Sequence, residues 1–265
     1  MQSYRMLLML LFLAGCSPQN SLHSIVNRHN YKPIAHQSDF FHHVVYVNSA
    51  FYLNEVPTLY VFLEGDGIPW KTRTQISANP QPVYPLALDL MTQNKYPGVY
   101  LQRPCYGVKE INCHFQWWTN KRYSQEVVSS MLQVLDKVSE NYLNVTLVGY
   151  SGGGGLATLM ARKSDKVSKL ITLAGNLDHQ KWTNYHDYSS LQGSLNPINY
   201  VLPSTVQQFH FAGQKDLNIL PQWVEAFSDK QINSQFILLK NVDHRCCWLE
   251  NWPRIIDQTN KTVIK

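Results

Sequence analysis

A serine between glycines is the first feature of this sequence that could do chemistry. The segment Gly149–Gly153 reads Gly-Tyr-Ser-Gly-Gly and directly follows the apolar run Val145–Val148. The residues from Leu156 onward favour a helix, so Ser151 is predicted to lie in a sharp turn between a strand and a helix. Flanking glycines let such a turn expose the serine oxygen. A flexible glycine-rich loop is the alternative, but the predicted strand and helix on either side favour a nucleophile.

A serine hydroxyl needs a general base and an orienting carboxylate before it can attack a carbonyl carbon. Two later turns could supply these groups. Asp216 follows the predicted strand Gln208–Phe211, and His244 follows the predicted strand Phe236–Leu239. We therefore expect Asp216 to orient His244 and His244 to act as the base for Ser151.

The orienting acid has a second candidate. Asp178 follows the predicted strand Leu170–Leu173, but it begins a long loop, whereas a short turn holds Asp216 more firmly. Asp243 adjoins His244 and cannot easily fold back onto its neighbour's ring. For His244 itself, the alternative is a histidine on the surface without a catalytic role.

These residues need a scaffold, and the pattern of the chain predicts one. From about residue 42, short apolar runs alternate with helical spacing, which is typical of an α/β protein with a mainly parallel central sheet and helices on both faces. The predicted strands are His43–Val47, Leu59–Leu63, Gly98–Leu101, Val145–Val148, Leu170–Leu173, Gln208–Phe211 and Phe236–Leu239, and the predicted helices are Pro85–Gln93, Ser124–Asn141, Gly153–Lys163, Gln222–Asp229 and Trp248–Gln258.

From about residue 42 to 260, the motif, its strand-turn-helix context and the chain order serine, acid, histidine resemble the α/β-hydrolase fold. The resemblance implies an oxyanion hole with one backbone N–H from Gly152 and a second from the loop after the strand Leu59–Leu63. That loop is Glu64–Gly67, Glu-Gly-Asp-Gly, where the family often has His-Gly. We assign the second N–H to Asp66, with a plain turn as the alternative. Some relatives carry the acid at the position of Asp178.

The segment from about residue 176 to 203 is too long for an ordinary connection. Its Asn, Ser, Tyr and Gly content suits a loop or a small lid over the site. Within it, Trp182 and Tyr185 could contact an apolar substrate or only anchor the segment.

The first residues are predicted to be an export signal. Arg5 precedes the apolar run Met6–Ala14, which is too short to span a bilayer. Residues 13–16, Leu-Ala-Gly-Cys, resemble the bacterial lipobox, which implies that residues 1–15 are a lipoprotein signal peptide and that Cys16 carries the lipid. An ordinary signal peptide or a buried strand is the alternative. The polar residues 16–41 then look like a tether, and residues 42–265 form the hydrolase domain.

Export also bears on the other four cysteines, because exported proteins reach a compartment that oxidises thiols. Cys105 and Cys113 bracket a short connection after a strand and are predicted to form a disulfide. The adjacent Cys246 and Cys247 could pair with each other, stay free or each reach the 105–113 loop. A zinc site is less favoured because two adjacent cysteines cannot easily reach one tetrahedral ion.

Composition excludes some functions. The 265 residues are 44% hydrophobic and only 15% charged, and the net charge of +5 comes without a basic run of five or more residues, so a nucleic-acid partner is not expected. We predict a membrane-anchored envelope hydrolase for a small or lipid-like acyl substrate, with a need for neither a metal nor an organic cofactor. A peptidase, an acyltransferase or a non-catalytic envelope binding protein on the same fold is the alternative.

Overall fold

An eight-stranded sheet forms the centre of the protein. The structure is a computed structural model and describes residues 21–53, 57–107 and 110–261. The strands are β1 (Lys32–Gln37), β2 (His42–Val47), β3 (Thr58–Leu63), β4 (Gly98–Leu101), β5 (Asn144–Tyr150), β6 (Val167–Leu173), β7 (Gln207–Gly213) and β8 (Ser234–Leu239). Their order is β1-β2-β4-β3-β5-β6-β7-β8, with β3 to β8 parallel and β1 and β2 antiparallel to their neighbours.

The described ranges contain seven α-helices, and six of them pack on the two faces of the sheet. The seven are α1 (Leu22–Arg28), α2 (Leu86–Thr92), α3 (Gln125–Val138), α4 (Gly152–Ala161), α5 (His179–Tyr185), α6 (Pro221–Ser228) and α7 (Trp248–Lys261). Apolar side chains of α3, α4 and α6 join one buried cluster, and those of α1, α2 and α7 join another. The predicted fold class, an α/β protein with a mainly parallel sheet and helices on both faces, is confirmed. Among the described residues, no helix combines the length and the apolar character needed to cross a membrane.

The central strands lie where the sequence predicts them because each contains a continuous apolar run. In β3, Leu59–Leu63 is buried at every position, and β5 is buried from Val145 to Gly149. Strands covered on both faces need this continuous pattern rather than alternation. β3 and β5 pair in parallel from Thr58 to Leu63, so the loop after β3 and the turn after β5 emerge side by side.

The predicted tether, residues 16–41, differs from the structure over its described part. Ser21 caps α1, whose side chains Leu22, Ile25 and Val26 are buried in the core. β1 then adds an outer strand to the sheet by pairing with β2. The polar composition that suggested a tether belongs to an edge strand, β1, which is mostly exposed and so needs few apolar residues. The folded domain therefore includes residues 21–41. Residues 1–20, with the predicted signal peptide and Cys16, lie outside the described residues.

Candidate active site

Ser151 occupies the turn between β5 and α4. Its backbone has φ 52° and ψ −120°, a left-handed conformation that a residue with a side chain rarely adopts. A hydrogen bond from Ser151 N to Leu173 O (2.9 Å) holds this turn against the end of β6. Gly153 is required at its position because a Cβ atom there would collide with the backbone oxygens of Leu63 and Glu64. The local geometry therefore presents the serine oxygen at the carboxyl edge of the sheet, as the sequence predicts.

The structure brings Ser151, His244 and Asp216 together. His244 Nε2 lies 3.1 Å from Ser151 Oγ, and His244 Nδ1 lies 2.8 Å from Asp216 Oδ2. The Asp216 side chain is buried, and its Oδ1 accepts hydrogen bonds from the backbone N–H groups of Asn218 (2.8 Å) and Ile219 (2.9 Å). These two amides fix the carboxylate, which in turn fixes the imidazole. A neutral His244 with its proton on Nδ1 presents Nε2 as an acceptor that can take the Ser151 proton.

The backbone of His244 is held from two directions. Tyr150 donates a hydrogen bond from its hydroxyl to His244 O (2.8 Å), and Trp248 donates from Nε1 to the same oxygen (3.1 Å). The neighbouring Asp243 instead turns to the following chain and accepts from the N–H groups of Arg245 and Cys246. Those backbone hydrogen bonds lower the pKa of Asp243. Asp243 therefore shapes the turn and does not face the imidazole.

Asp178, the alternative acid, has a different set of contacts. It caps α5 by accepting from Lys181 N (3.3 Å) and also accepts from Asn196 Nδ2 (2.9 Å). Asp216, not Asp178, holds His244 Nδ1 in this structure. The contacts of Asp178 instead join α5 to the later part of the segment 176–203, which also contains a short 3-10 helix, Pro197–Asn199.

Asn218 is a residue of the site that sequence reasoning missed. Its Nδ2 lies 3.0 Å from His244 Nε2, and its Oδ1 accepts from Trp182 Nε1 (3.2 Å). Its backbone oxygen lies 2.9 Å from His186 Nε2. Asn218 thus connects the segment 176–203 to the imidazole. Trp182 anchors this segment, whereas Tyr185 is 57% exposed. No motif marks Asn218, since its role depends on two loops that meet only in the fold.

The backbone N–H groups of Gly152 and Asp66 are the predicted donors of the oxyanion hole. Gly152 is the first residue of α4, and neither its N–H nor that of Asp66 has a hydrogen-bond acceptor among the described residues. The Glu64–Gly67 loop passes beside the serine, since a Cβ atom on Gly65 would lie 3.4 Å from Ser151 Cβ. The contact of these two N–H groups with a substrate oxygen stays a prediction.

Glu64, which stands where the family often has histidine, has a structural contact of its own. Its carboxylate accepts from Gly65 N (3.0 Å) and from Ala87 N (2.9 Å) at the start of α2. Burial raises the pKa of Glu64 to about 7, against the effect of these amide hydrogen bonds and of Arg103. Glu64 joins the loop to α2 rather than facing Ser151 Oγ.

The four cysteines of the described part form two pairs. A disulfide links Cys105 and Cys113, whose Cα atoms lie 5.4 Å apart, and another links the adjacent Cys246 and Cys247. The second pair lies two residues after His244. Within the described ranges, no group of three or more His, Cys, Asp or Glu side chains is arranged to hold a metal ion.

Comparisons with known proteins identify the type of fold. No family model matches the chain, and no curated protein matches it in sequence. Solved structures do match. The Pyrococcus furiosus esterase Pf2001 has a TM-score of 0.63 at 11% identity, with 89% of this chain and 94% of that chain covered. Est1E from Butyrivibrio proteoclasticus has a TM-score of 0.59 at 13% identity, with 86% and 99% covered.

A third structure, a puromycin hydrolase, has a TM-score of 0.57 at 14% identity. The match covers 86% of this chain but 38% of that larger protein. Sequence identities this low are evidence for the fold alone. Together with the sheet order and the position of Ser151, these matches show that the chain adopts the α/β-hydrolase fold, as the sequence predicts.

Proposed function

We propose that this protein is a serine hydrolase that cleaves a carboxylic ester or thioester through an acyl-enzyme. The observation that carries the proposal is the alignment of Ser151 Oγ, His244 and Asp216 at 3.1 and 2.8 Å. A serine in a strained turn, a base and a buried carboxylate are the parts that nucleophilic acyl transfer requires. Esterases among the structures of the same fold are consistent with this activity.

The reaction follows from these positions. Ser151 Oγ attacks the acyl carbon while His244 Nε2 takes its proton, and Asp216 holds the imidazolium that forms. The Gly152 and Asp66 N–H groups donate to the carbonyl oxygen as it becomes negative. His244 then gives the proton to the leaving group. A water molecule releases the acid by the same steps in reverse, with His244 as the base.

Cleavage of an amide bond is the second candidate. The supporting observation is the likeness to a puromycin hydrolase, although the fold fixes the nucleophile and not the leaving group. An acyltransferase would differ only in the acceptor that replaces water.

We further infer that the protein is a lipid-anchored envelope protein. Lipidation at Cys16 would place the anchor five residues before Ser21, where the described fold begins, which spans at most about 18 Å of extended chain. Such a short connection would keep the folded domain close to the membrane surface. Mass analysis of the mature protein should find a lipid on Cys16. An unmodified N-terminus that starts at another residue would contradict this inference.

The substrate class can be tested on the purified protein with matched esters, thioesters and amides of one acyl group, over a series of acyl lengths. We expect measurable turnover of the ester or thioester and slower turnover of the amide. Ser151→Ala is the matched control because it removes the nucleophile and leaves the pocket intact. Faster cleavage of the amide would favour the peptidase alternative.

A further inference from the structure

A buried group of charged and polar side chains lies beside Ser151, around the predicted oxyanion donor Asp66. We call it the Asp66 cluster and define it as Asp66, Arg103, Arg122 and Tyr123. The Asp66 carboxylate forms ion pairs with Arg103 Nη2 (2.8 Å) and Arg122 Nη1 (2.8 Å), and it accepts from the Tyr123 hydroxyl (2.7 Å). The two arginine side chains are 2% and 5% exposed, so this is an interior cluster.

The cluster holds more positive than negative charge. Two guanidinium groups, which stay protonated, face a single aspartate. Burial raises the pKa of Asp66, but Arg122 and Arg103 outweigh it and hold that pKa below its usual value, so the carboxylate is ionised. Arg103 Nη1 is buried and has no hydrogen-bond partner among the described residues. Within these four residues, two positive charges face one negative charge; the Glu64 carboxyl also interacts with Arg103, and it adds negative charge only as it ionises, because burial raises its pKa to about 7.

The carboxylate also lies against the backbone that follows the nucleophile. A Cβ atom on residue 152 would collide with Asp66 Oδ1 and lie 2.5 Å from the Tyr123 hydroxyl oxygen, so Gly152 leaves the room that the cluster occupies. An uncompensated carboxylate at this place would oppose the negative charge that develops on the substrate oxygen. With the two arginines, the net charge of the Asp66 cluster is positive instead of negative.

The same side chains fix the loop that carries the second N–H. Arg103 Nε donates to Glu64 O (3.3 Å), and the hydroxyl of Tyr106 donates to Asp66 O (3.0 Å). Arg122 Nε donates to Thr119 O (2.6 Å), which anchors this arginine before α3. The backbone oxygen and the carboxylate of Asp66 are thus both held by these side chains.

Building on the proposed acyl-transfer function, we propose that Arg103 and Arg122 are positioning residues for the oxyanion. They neutralise the Asp66 carboxylate, leave one surplus positive charge beside the substrate oxygen, and hold the Glu64–Gly67 loop so that the Asp66 N–H faces that oxygen. They act through Asp66 and do not touch the substrate. The sequence Glu-Gly-Asp-Gly, in place of the family's more frequent His-Gly, is explained by this buried charge compensation.

The test compares three variants on an activated ester. Arg122→Met leaves one cation against the carboxylate, and the surplus charge disappears. We expect kcat to fall about 100-fold, as for the loss of one oxyanion donor, with KM changed less than about threefold. Arg122→Met combined with Asp66→Asn restores one unmatched cation, Arg103, and should recover kcat to within about tenfold of the wild-type value.

Arg162→Met is the matched control. It removes one guanidinium, which lies over the ring of Tyr200, at the end of α4 and away from the cluster. It should leave kcat and KM unchanged. A boronic acid that forms a tetrahedral anion on Ser151 should bind the Arg122→Met variant more weakly by the same factor as the loss in kcat/KM.

Several results would overturn the proposal. The proposal is wrong if kcat of Arg122→Met stays within about threefold of wild type, or if only its KM rises. It is also wrong if the double variant is no more active than Arg122→Met alone. If Arg122→Met does not fold, Arg122→Lys keeps the cation and should stay within about tenfold, and a 100-fold loss there would contradict the proposal. A wild-type protein with no esterase activity and no boronic acid binding would instead refute the proposed function itself.

Discussion

Changing Asp216 to Asn tests which carboxylate orients the base. An asparagine oxygen at position Oδ1 can still accept from the N–H groups of Asn218 and Ile219, which lie 2.8 and 2.9 Å away. The amide nitrogen must then face His244 Nδ1, so it donates where the wild-type carboxylate accepts. The imidazole proton is forced onto Nε2, which faces Ser151 Oγ at 3.1 Å and can no longer take its proton.

The size of the effect follows from the loss of the correct tautomer. Such a change costs about 10⁴-fold in kcat in a serine triad, which corresponds to about 5.5 kcal/mol of transition-state stabilisation. KM should change little because Asp216 is buried and does not reach the cleft. The melting temperature should also change little because both amide contacts to residue 216 are retained.

Asp178→Asn is the matched comparison. Asn caps a helix about as well as Asp, so the contact with Lys181 N is kept and kcat should stay within about threefold of wild type. Steady-state kinetics on an activated ester, with a thermal melt of each variant, measure both effects. A larger loss for Asp178→Asn than for Asp216→Asn would move the acid to Asp178. A mild effect of both would mean that His244 needs no orienting acid and would refute the reasoning.

Two further predictions concern stability. Burial lowers the pKa of His210 to about 3, so the folded protein binds fewer protons here than the unfolded chain, and stability is lost as the pH falls below about 6.5. Between pH 7 and pH 5, protonation of His210 in the unfolded chain should lower the free energy of unfolding by about 2 kcal/mol. Urea unfolding of His210→Gln at both pH values should show a decrease smaller by this amount. The same decrease in His210→Gln as in the wild-type protein would contradict the prediction. Replacing both Cys105 and Cys113 by Ser should lower the free energy of unfolding by about 2–3 kcal/mol, and non-reducing peptide mapping that links Cys105 elsewhere would contradict the pairing.

The framework of the fold could be predicted because its signals are local. β3 and β5 are continuous apolar runs, α3 has apolar residues at spacings of three and four after the cap Ser124, and the Gly149–Gly153 motif marks the turn between β5 and α4. Each of these features is contained in a few neighbouring residues.

The missed elements are short and polar. α1 has seven residues, of which three are buried, and β1 is an edge strand whose residues mostly face solvent. The side chains of α1 pack in one cluster with residues of α2 and α7, far along the chain, whereas β1 is stabilised by pairing with the neighbouring strand β2. Neither element has a periodic pattern of apolar residues long enough to be recognised, so the sequence predicts a tether for this polar stretch.

The missed site residues depend on long-range contacts. Asp66 pairs with Arg122 over 56 residues of chain, and Asn218 lies between Trp182 and His244. A lone arginine or asparagine carries no sequence signal for such a role. Ser151, Asp216 and His244 could be proposed because each follows a predicted strand, and parallel strands bring their carboxyl ends to one edge of the sheet.

Labelling of Ser151 tests the central claim most directly. A fluorophosphonate reacts with a serine oxygen only when an adjacent base activates it, so it reports the catalytic arrangement without knowledge of the substrate. We predict one covalent adduct on the purified protein, located at Ser151 by peptide mass mapping, with loss of the adduct and of ester hydrolysis in Ser151→Ala and an unchanged thermal melt. No adduct on the folded wild-type protein, or more than about a tenth of the hydrolysis rate retained in Ser151→Ala, would contradict the account and favour a binding protein on a hydrolase fold.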